Sequence, residues 1–369
     1  MAARSLLRVA RVSVLCALSC VTARDAWAIK LEADKDIYVD IKALIQPQLQ
    51  LTDDAQANPE FLTDFFLRRT RIILDGEVSK YVSFFFDTDQ PNWGKGGKWS
   101  DVPFYVQDAF GTFNIHEAFK IDAGMLLTPF VHQARQSAGN LHTLDYHAAM
   151  IKYPDGSNKV WRDMGAEIRG IFAAKMLDYR VMVSNGVPGT SDHIPRFSGR
   201  LALNFFDPED GFFLGGTYLG KKKVLALGVA GDVQPEGFGG NLTTDERLKP
   251  YVATGGDLYW DIPLGKDRVS GQVDFVYYGA NDNPQGGWGF LGDVGYAFDK
   301  LEPLVSADFY RPNGASSFKD TMFGLHVGLN YWLLGHNANI KADLGYVKDA
   351  GRVIERAARV LTLQTQILL

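Results

Sequence analysis

From about residue 36 almost to its end, the chain alternates apolar and polar residues. In the first such stretch Tyr38, Asp40, Lys42, Gln46, Gln48 and Gln50 share one face. Ile37, Val39, Ile41, Ala43, Ile45, Leu49 and Leu51 share the other. A period of two is that of a strand, whose successive side chains point to opposite sides. The scheme recurs where Asp178 and Arg180 oppose Leu177, Tyr179, Val181 and Val183. Further on, His326 and Asn330 oppose Phe323, Leu325, Val327, Leu329 and Tyr331, and Lys341 and Asp343 oppose Ile340, Ala342, Leu344 and Tyr346. Beyond the N-terminus no run of eighteen apolar residues occurs, which excludes helical membrane spans.

Candidate strands cover 36–51, 62–77, 80–89, 103–114, 118–127, 160–173, 176–185, 196–206, 212–220, 223–234, 248–262, 267–279, 287–298, 301–311, 322–334, 337–347 and 359–368. Tight turns, such as Ser79-Lys80, His116-Glu117, Ala174-Lys175, Gly265-Lys266-Asp267 and Asp299-Lys300, alternate with longer polar loops. Short turns at one end and long loops at the other are the pattern of a transmembrane barrel, which takes an even number of strands. Reading 212–234 as one long strand, bulged near Lys221-Lys222-Lys223, gives sixteen and puts every tight turn and both chain ends on one side.

The N-terminus reads as an address. Arg4, Arg8 and Arg11 precede the short apolar run Val12 to Val21, and Ala26-Trp27-Ala28 is a small-x-small cleavage site, so 1–28 is expected to be a secretory signal peptide. Both cysteines, Cys16 and Cys20, fall within it. A mature chain from Ile29 would then have no thiol chemistry and no disulfide framework. With 38 basic and 43 acidic residues, the formal charge of −5 argues against a nucleic-acid partner.

The fold class expected is all-β: a transmembrane antiparallel β-barrel of about sixteen strands over 29–369, with short periplasmic turns and long extracellular loops. In lipid every backbone group must be paired, so a closed barrel with an apolar outside and a polar inside is the allowed solution. Phe65, Phe66, Trp161, Phe205, Phe206, Trp260, Tyr277, Trp288, Phe298 and Phe309 lie near strand ends, where interfacial girdles form. A soluble propeller is the competing all-β architecture, but no blade-length repeat is present. Localisation is therefore expected in a Gram-negative outer membrane, with its lipid as a partner.

Three segments resemble the phosphate-selective porin O and P family of such membranes. These are Phe65-Phe66-Leu67-Arg68-Arg69-Thr70-Arg71-Ile72-Ile73-Leu74-Asp75-Gly76, Val106-Gln107-Asp108-Ala109, and Gly124-Met125-Leu126-Leu127-Thr128-Pro129-Phe130. Tyr218-Leu219-Gly220-Lys221-Lys222-Lys223-Val224-Leu225 is also similar. The resemblance implies a sixteen-stranded, usually trimeric channel with its third long loop, here 128–159, folded into the pore. It also implies phosphate or other small anions as solutes. The chain departs from the usual barrel pattern at its end, which reads Gln366-Ile367-Leu368-Leu369 where Phe is common.

Arg69 and Arg71 are two apart and share a face, inward if Phe66, Ile72 and Leu74 face lipid. Lys120, Arg169, Arg180, Arg196, Arg200, Arg268 and Lys341 also fall on inner faces, and Arg135 lies in the long loop with His132, His142, His147, Lys152 and Lys159. Guanidinium groups match phosphate oxygens and stay charged, so these residues are candidate pore-lining, anion-binding groups. Alternatively they pair with Asp122, Asp163, Glu167, Asp178, Asp274 and Asp343, giving a mixed, weakly selective wall. Lys221, Lys222 and Lys223 either draw anions to a mouth or form a solvated cluster.

No catalytic motif stands out. His326 with Ser306 one hairpin away, and His142 with His147, lack the companions that a triad or a metal site needs. The chain is read as a non-enzyme without cofactor or metal: a passive channel. The alternative is a barrel that serves as a structural or docking component of an envelope complex, without significant conductance.

Overall fold

The computed structural model describes residues 29–34, 37–53, 61–100, 102–147, 161–186, 194–238, 249–279, 286–313, 321–348 and 357–369. The signal-peptide reading of 1–28, and Lys152 and Lys159, lie outside the described residues.

The strands are β1 (Ile29–Asp34), β2 (Ile37–Asp53), β3 (Phe61–Ser79), β4 (Val82–Asp89), β5 (Tyr105–His116), β6 (Phe119–Leu127), β7 (Arg162–Phe172), β8 (Leu177–Ser184), β9 (Arg196–Asn204), β10 (Val224–Phe238), β11 (Lys249–Leu264), β12 (Asp267–Tyr278), β13 (Gly287–Ala297), β14 (Leu301–Pro312), β15 (Met322–Tyr331), β16 (Ala338–Lys348) and β17 (Ala358–Leu368). From β2 to β17 each pairs antiparallel with the next, and β17 returns to β2 through Leu361↔Leu51 and Leu368↔Leu44. The sheet is thus a closed sixteen-stranded barrel. Closure pairs each strand of the ring on both sides, which is what makes strands viable in lipid.

One strand is additional. β1 folds back on β2 (Ile29↔Ile41, Glu32↔Tyr38), just beyond the point where β17 ends. It covers the part of the β2 edge that β17 is too short to reach.

The alternation sets the two faces. Val229, Val273, Val305, Leu325, Val327 and Leu344 are exposed on the outside, while Gln272, Asp274, Asp293, Asn330, Lys341 and Gln364 are buried on the inside. An apolar exterior on a closed sheet is the surface of an integral membrane barrel, the architecture of Gram-negative outer membranes. Phe65, Phe205, Phe206, Tyr277, Trp288 and Phe298 are exposed, as girdle residues must be.

Two expected girdle residues are not on the outside. Phe66 and Trp161 are buried. A bulge in the β2–β3 ladder shifts the register between Gln46↔Arg69 and Pro47↔Leu67, so Phe66 pairs with Gln48 and turns inward. The extra residue breaks strict alternation along β3. Trp161 packs edge-on against Tyr146 with ring centroids 4.9 Å apart.

The strand count holds for a different reason than the one expected. Phe212–Gly220 is not the first half of a long strand; β10 begins at Val224. The stretch 205–223 links β9 to β10 on the short-turn side as an irregular segment with Phe212, Leu214 and Thr217 buried.

Candidate functional site

The interior of the barrel is occupied by two segments that enter from opposite ends. The first is 128–147, between β6 and β7. Its backbone is held by wall side chains. Asp257 and Asp274 accept from the His132 and Gln133 N–H groups at 3.2 and 3.0 Å. Lys341 Nζ donates to the carbonyls of Leu141 and Thr143 at 2.7 and 2.8 Å. Asn330 donates to the His142 carbonyl, Gln366 to that of Gly139 and Gln46 to that of Ala138. Irregular backbone at membrane depth must find such partners.

Packing seats the same segment. Near the loop end of β11–β15 the inner face turns apolar at Tyr251, Ala253, Val276, Tyr278, Leu291, Tyr310 and Met322, and Phe130 and Val131 pack against it in one cluster. The consecutive apolar residues Phe275-Val276-Tyr277-Tyr278 carry this: one pair meets lipid and the other meets the segment.

The second segment, 205–223, meets the first in mid-barrel. Leu214 N–H donates to the Arg135 carbonyl at 2.9 Å and Ser137 N–H to the Leu214 carbonyl at 3.1 Å, a parallel bridge. Gly216 N–H donates to the Asn140 carbonyl, and a Cβ on Gly216 would lie 2.5 Å from His142 N, so the approach needs glycine. Asp261 accepts from Thr217 Oγ1 at 2.9 Å and Tyr218 N–H at 2.5 Å, fixing the segment to β11.

The candidate cations sit against this interior, and nearly all are consumed by it. Arg135 in the loop is buried; it pairs with Glu167 and donates to the carbonyls of Leu127 and Phe212. Arg180 donates to the carbonyls of Phe212 and Gly211 and pairs with Asp178. Arg169 binds Asp122 at 2.6 Å, Arg200 binds Asp257, Arg196 binds Asp232 and Arg268 binds Glu302 at 2.9 Å. Arg71 bridges Asp87 and Asp89 at 3.0 and 2.8 Å. Lys341 is spent on loop carbonyls. Lys120 is half-buried and makes no ion pair among the described residues; it shares a small pocket with Arg169, Arg180, Asp178 and Asp210.

The bulge explains Arg69. It brings the consecutive residues Arg68 and Arg69 both onto Asp145 of the internal loop, each at 2.5 Å. Burial raises the Asp145 carboxyl, but the two guanidinium groups outweigh it and hold it below the usual range.

Three histidines fix the loop as well. His132 Nε2 meets Glu209 at 2.9 Å, His142 Nδ1 meets Asp293 at 2.6 Å, and His147 Nδ1 meets Asp308 at 2.9 Å. His142 also lies 3.3 Å from Glu302. For each imidazole burial acts downward and the carboxylates outweigh it, lifting His142 to about 10 and raising His132 and His147. His326 is held by Asp343 at 2.8 Å and faces Ser306 across the β14–β15 ladder.

Sequence reasoning found the inner faces and, in Asp122, Glu167 and Asp178, the carboxylates that pair with Arg169, Arg135 and Arg180. It missed Asp87, Asp89, Asp108, Asp145, Asp232, Asp257, Asp293 and Glu302, which carry the remaining pairs, with Arg162 bidentate to Asp108 at 2.9 Å. Several share an alternation parity with the cations opposite them, which was the available signal. The contacts of Glu209 and Asp145 depend on chain entering the lumen, which no alternation encodes. The Lys221–Lys223 cluster lies on the short-turn side; Lys222 pairs with Asp210 at 2.7 Å and Lys223 Nζ sits 3.8 Å from the Phe206 ring centroid.

No family model matches the chain, and no curated protein matches it in sequence. Solved structures do match in fold. Salmonella typhi OmpF, in complex with daunomycin, aligns at TM-score 0.64 with 10% identity over 92% of this chain and 100% of that one. Pseudomonas putida OprB, in a high-pH structure, aligns at 0.64 with 10% identity over 90% and 94%. The anion-selective porin of Comamonas acidovorans aligns at 0.54 with 10% identity over 90% and 99%. These neighbours are Gram-negative outer-membrane porins, and at such identities the likeness is one of fold: this chain has the porin barrel.

Proposed function

We propose that the protein is a passive outer-membrane channel for small polar solutes, narrowed by its two internal segments. The observation that carries this reading is the inner wall. Apart from the apolar sector at the loop end of β11–β15 it is lined by polar side chains, yet its buried cations are matched by carboxylates or backbone carbonyls. An ion loses hydration on entering a narrow pore, and only fixed charge left uncompensated offsets that loss. A wall of closed pairs offers little of it to either sign. The reading is accordingly weak selectivity. A preference for phosphate or other anions, which the resemblance to the phosphate-selective porins implies, would rest on Lys120 and on cations outside the described residues. The 128–147 segment acts as the constriction, and assembly into a homotrimer belongs to the same reading.

The enzyme reading has less support. Catalysis would need a nucleophile hydrogen-bonded to its base, and Ser306 and His326 make no such bond among the described contacts.

Liposome swelling with uncharged sugars, together with the reversal potential across a KCl gradient, tests the proposal. Size-dependent swelling with a reversal potential near zero is expected. Absence of both swelling and current would favour the docking-component alternative, and a strongly anionic sign would restore the phosphate reading.

A further inference from the structure

We propose that the outer face of β12–β17 is a seat for a phosphorylated, multi-acyl lipid of the outer leaflet, with acyl chain in a groove and phosphate on Arg359 and Lys348. The lipid-facing belt is not uniform there. A groove of about 910 Å³ opens where Gly292 and Ala307 stand side by side on β13 and β14, and Leu325, Leu344 and Tyr346 form its flank. In a bilayer such a trough is filled by hydrocarbon, so shape alone selects no partner.

Charge selects it. Arg359 lines the same groove, exposed on the outward face of β17 opposite Tyr346. Lys348 faces outward on β16 opposite Phe323, one diagonal step away, and Arg311 is exposed at the loop end of β14. None of the three makes an ion pair among the described residues. Among the described residues the acid nearest in register is Asp53, next to the Thr52 that faces Val360, and it is not bonded to Arg359. Cations on a lipid-facing wall are costly unless they meet anionic headgroups. All three lie at the long-loop end, hence at the level of the outer leaflet. A guanidinium beside an ammonium binds phosphate oxygens well. The occupant that satisfies groove and cations together carries both acyl chains and phosphate.

The test uses the purified full chain, delipidated and reloaded with bisphosphorylated lipid A, its dephosphorylated form or inorganic phosphate, and read by native mass spectrometry. Retention of lipid A, weaker retention of the dephosphorylated form and no competition by inorganic phosphate are expected. Lys348→Ala and Arg359→Ala should each weaken retention roughly fivefold, and Asp53→Asn should strengthen it. Gly292→Leu fills the trough without touching charge. A Cβ there meets nothing nearer than 3.6 Å, so the strand accepts it, and retention should fall again. Equal retention of both lipid forms by the unmodified protein would overturn the proposal. So would a Gly292→Leu variant that keeps its lipid but changes oligomeric state, because the groove would then be a subunit interface.

Discussion

Leu214 and Gln136 reach the barrel from opposite mouths and pair in its middle, with Leu214 accepting from Ser137 N–H and donating to the Arg135 carbonyl. A barrel wall alone would leave the lumen open; this bridge closes two excursions on each other. Paired positions on adjacent strands lie within disulfide reach. Gln136→Cys combined with Leu214→Cys is therefore expected to cross-link on mild oxidation. Mobility on non-reducing gels checks it, and a permanently reduced pair would mean that the segments do not meet.

Lys341 is expected to act as a clamp on the internal loop. Its ammonium holds the carbonyls of Leu141 and Thr143 inside the barrel. Lys341→Met removes the donor and leaves both acceptors buried, at a cost of about 1–3 kcal/mol for each orphaned group. The thermal unfolding midpoint should fall and current noise should rise. An unchanged midpoint with quiet channels would show that the lysine is not holding the loop.

Removing Arg69 and Arg71 together should move selectivity toward cations. Their partners Asp145, Asp87 and Asp89 would be left in the lumen, with only Arg68 still on Asp145. The reversal potential of Arg69→Ala plus Arg71→Ala in a KCl gradient reports the sign. A shift toward anions would contradict the paired wall.

The three loop histidines give a pH dependence of definite sign. Each has a raised pKa in the folded chain, so its contribution is full below the ordinary imidazole value of about 6.5 and is lost as pH rises through the raised value. For His142 that value is about 10, so its hold on Asp293 and Glu302 fades in the alkaline range. Loop protection from protease should decline between neutral pH and that point. His142→Gln should flatten the decline, and a profile that the substitution leaves unaltered would remove the histidine from the account.

The sequence carried the wall because lipid and water impose opposite demands on alternate residues; Leu325 and His326 need no tertiary information to be sorted. It failed where that rule was suspended. The β3 bulge turned Phe66 inward against its parity and let Arg68 join Arg69. Phe212–Gly220 has the apolar content of a strand, but Phe212 and Leu214 are buried in the lumen instead of facing lipid. A cation on an inner face was legible, and so was its neutralisation where Asp122, Glu167 and Asp178 supply it from the same inner faces; elsewhere it was not. The partner arrives from a register in the case of Asp257 with Arg200, and from a folded-in loop in the case of Asp145 with Arg69.

Single-channel recording in planar bilayers compares the intact chain with one in which 208–220 is replaced by a two-residue turn. Small discrete steps from the intact protein and clearly larger ones from the shortened protein are predicted, since a segment would have left the water-filled lumen. Silence from both, or identical steps from both, would contradict a polar-lined barrel narrowed from within.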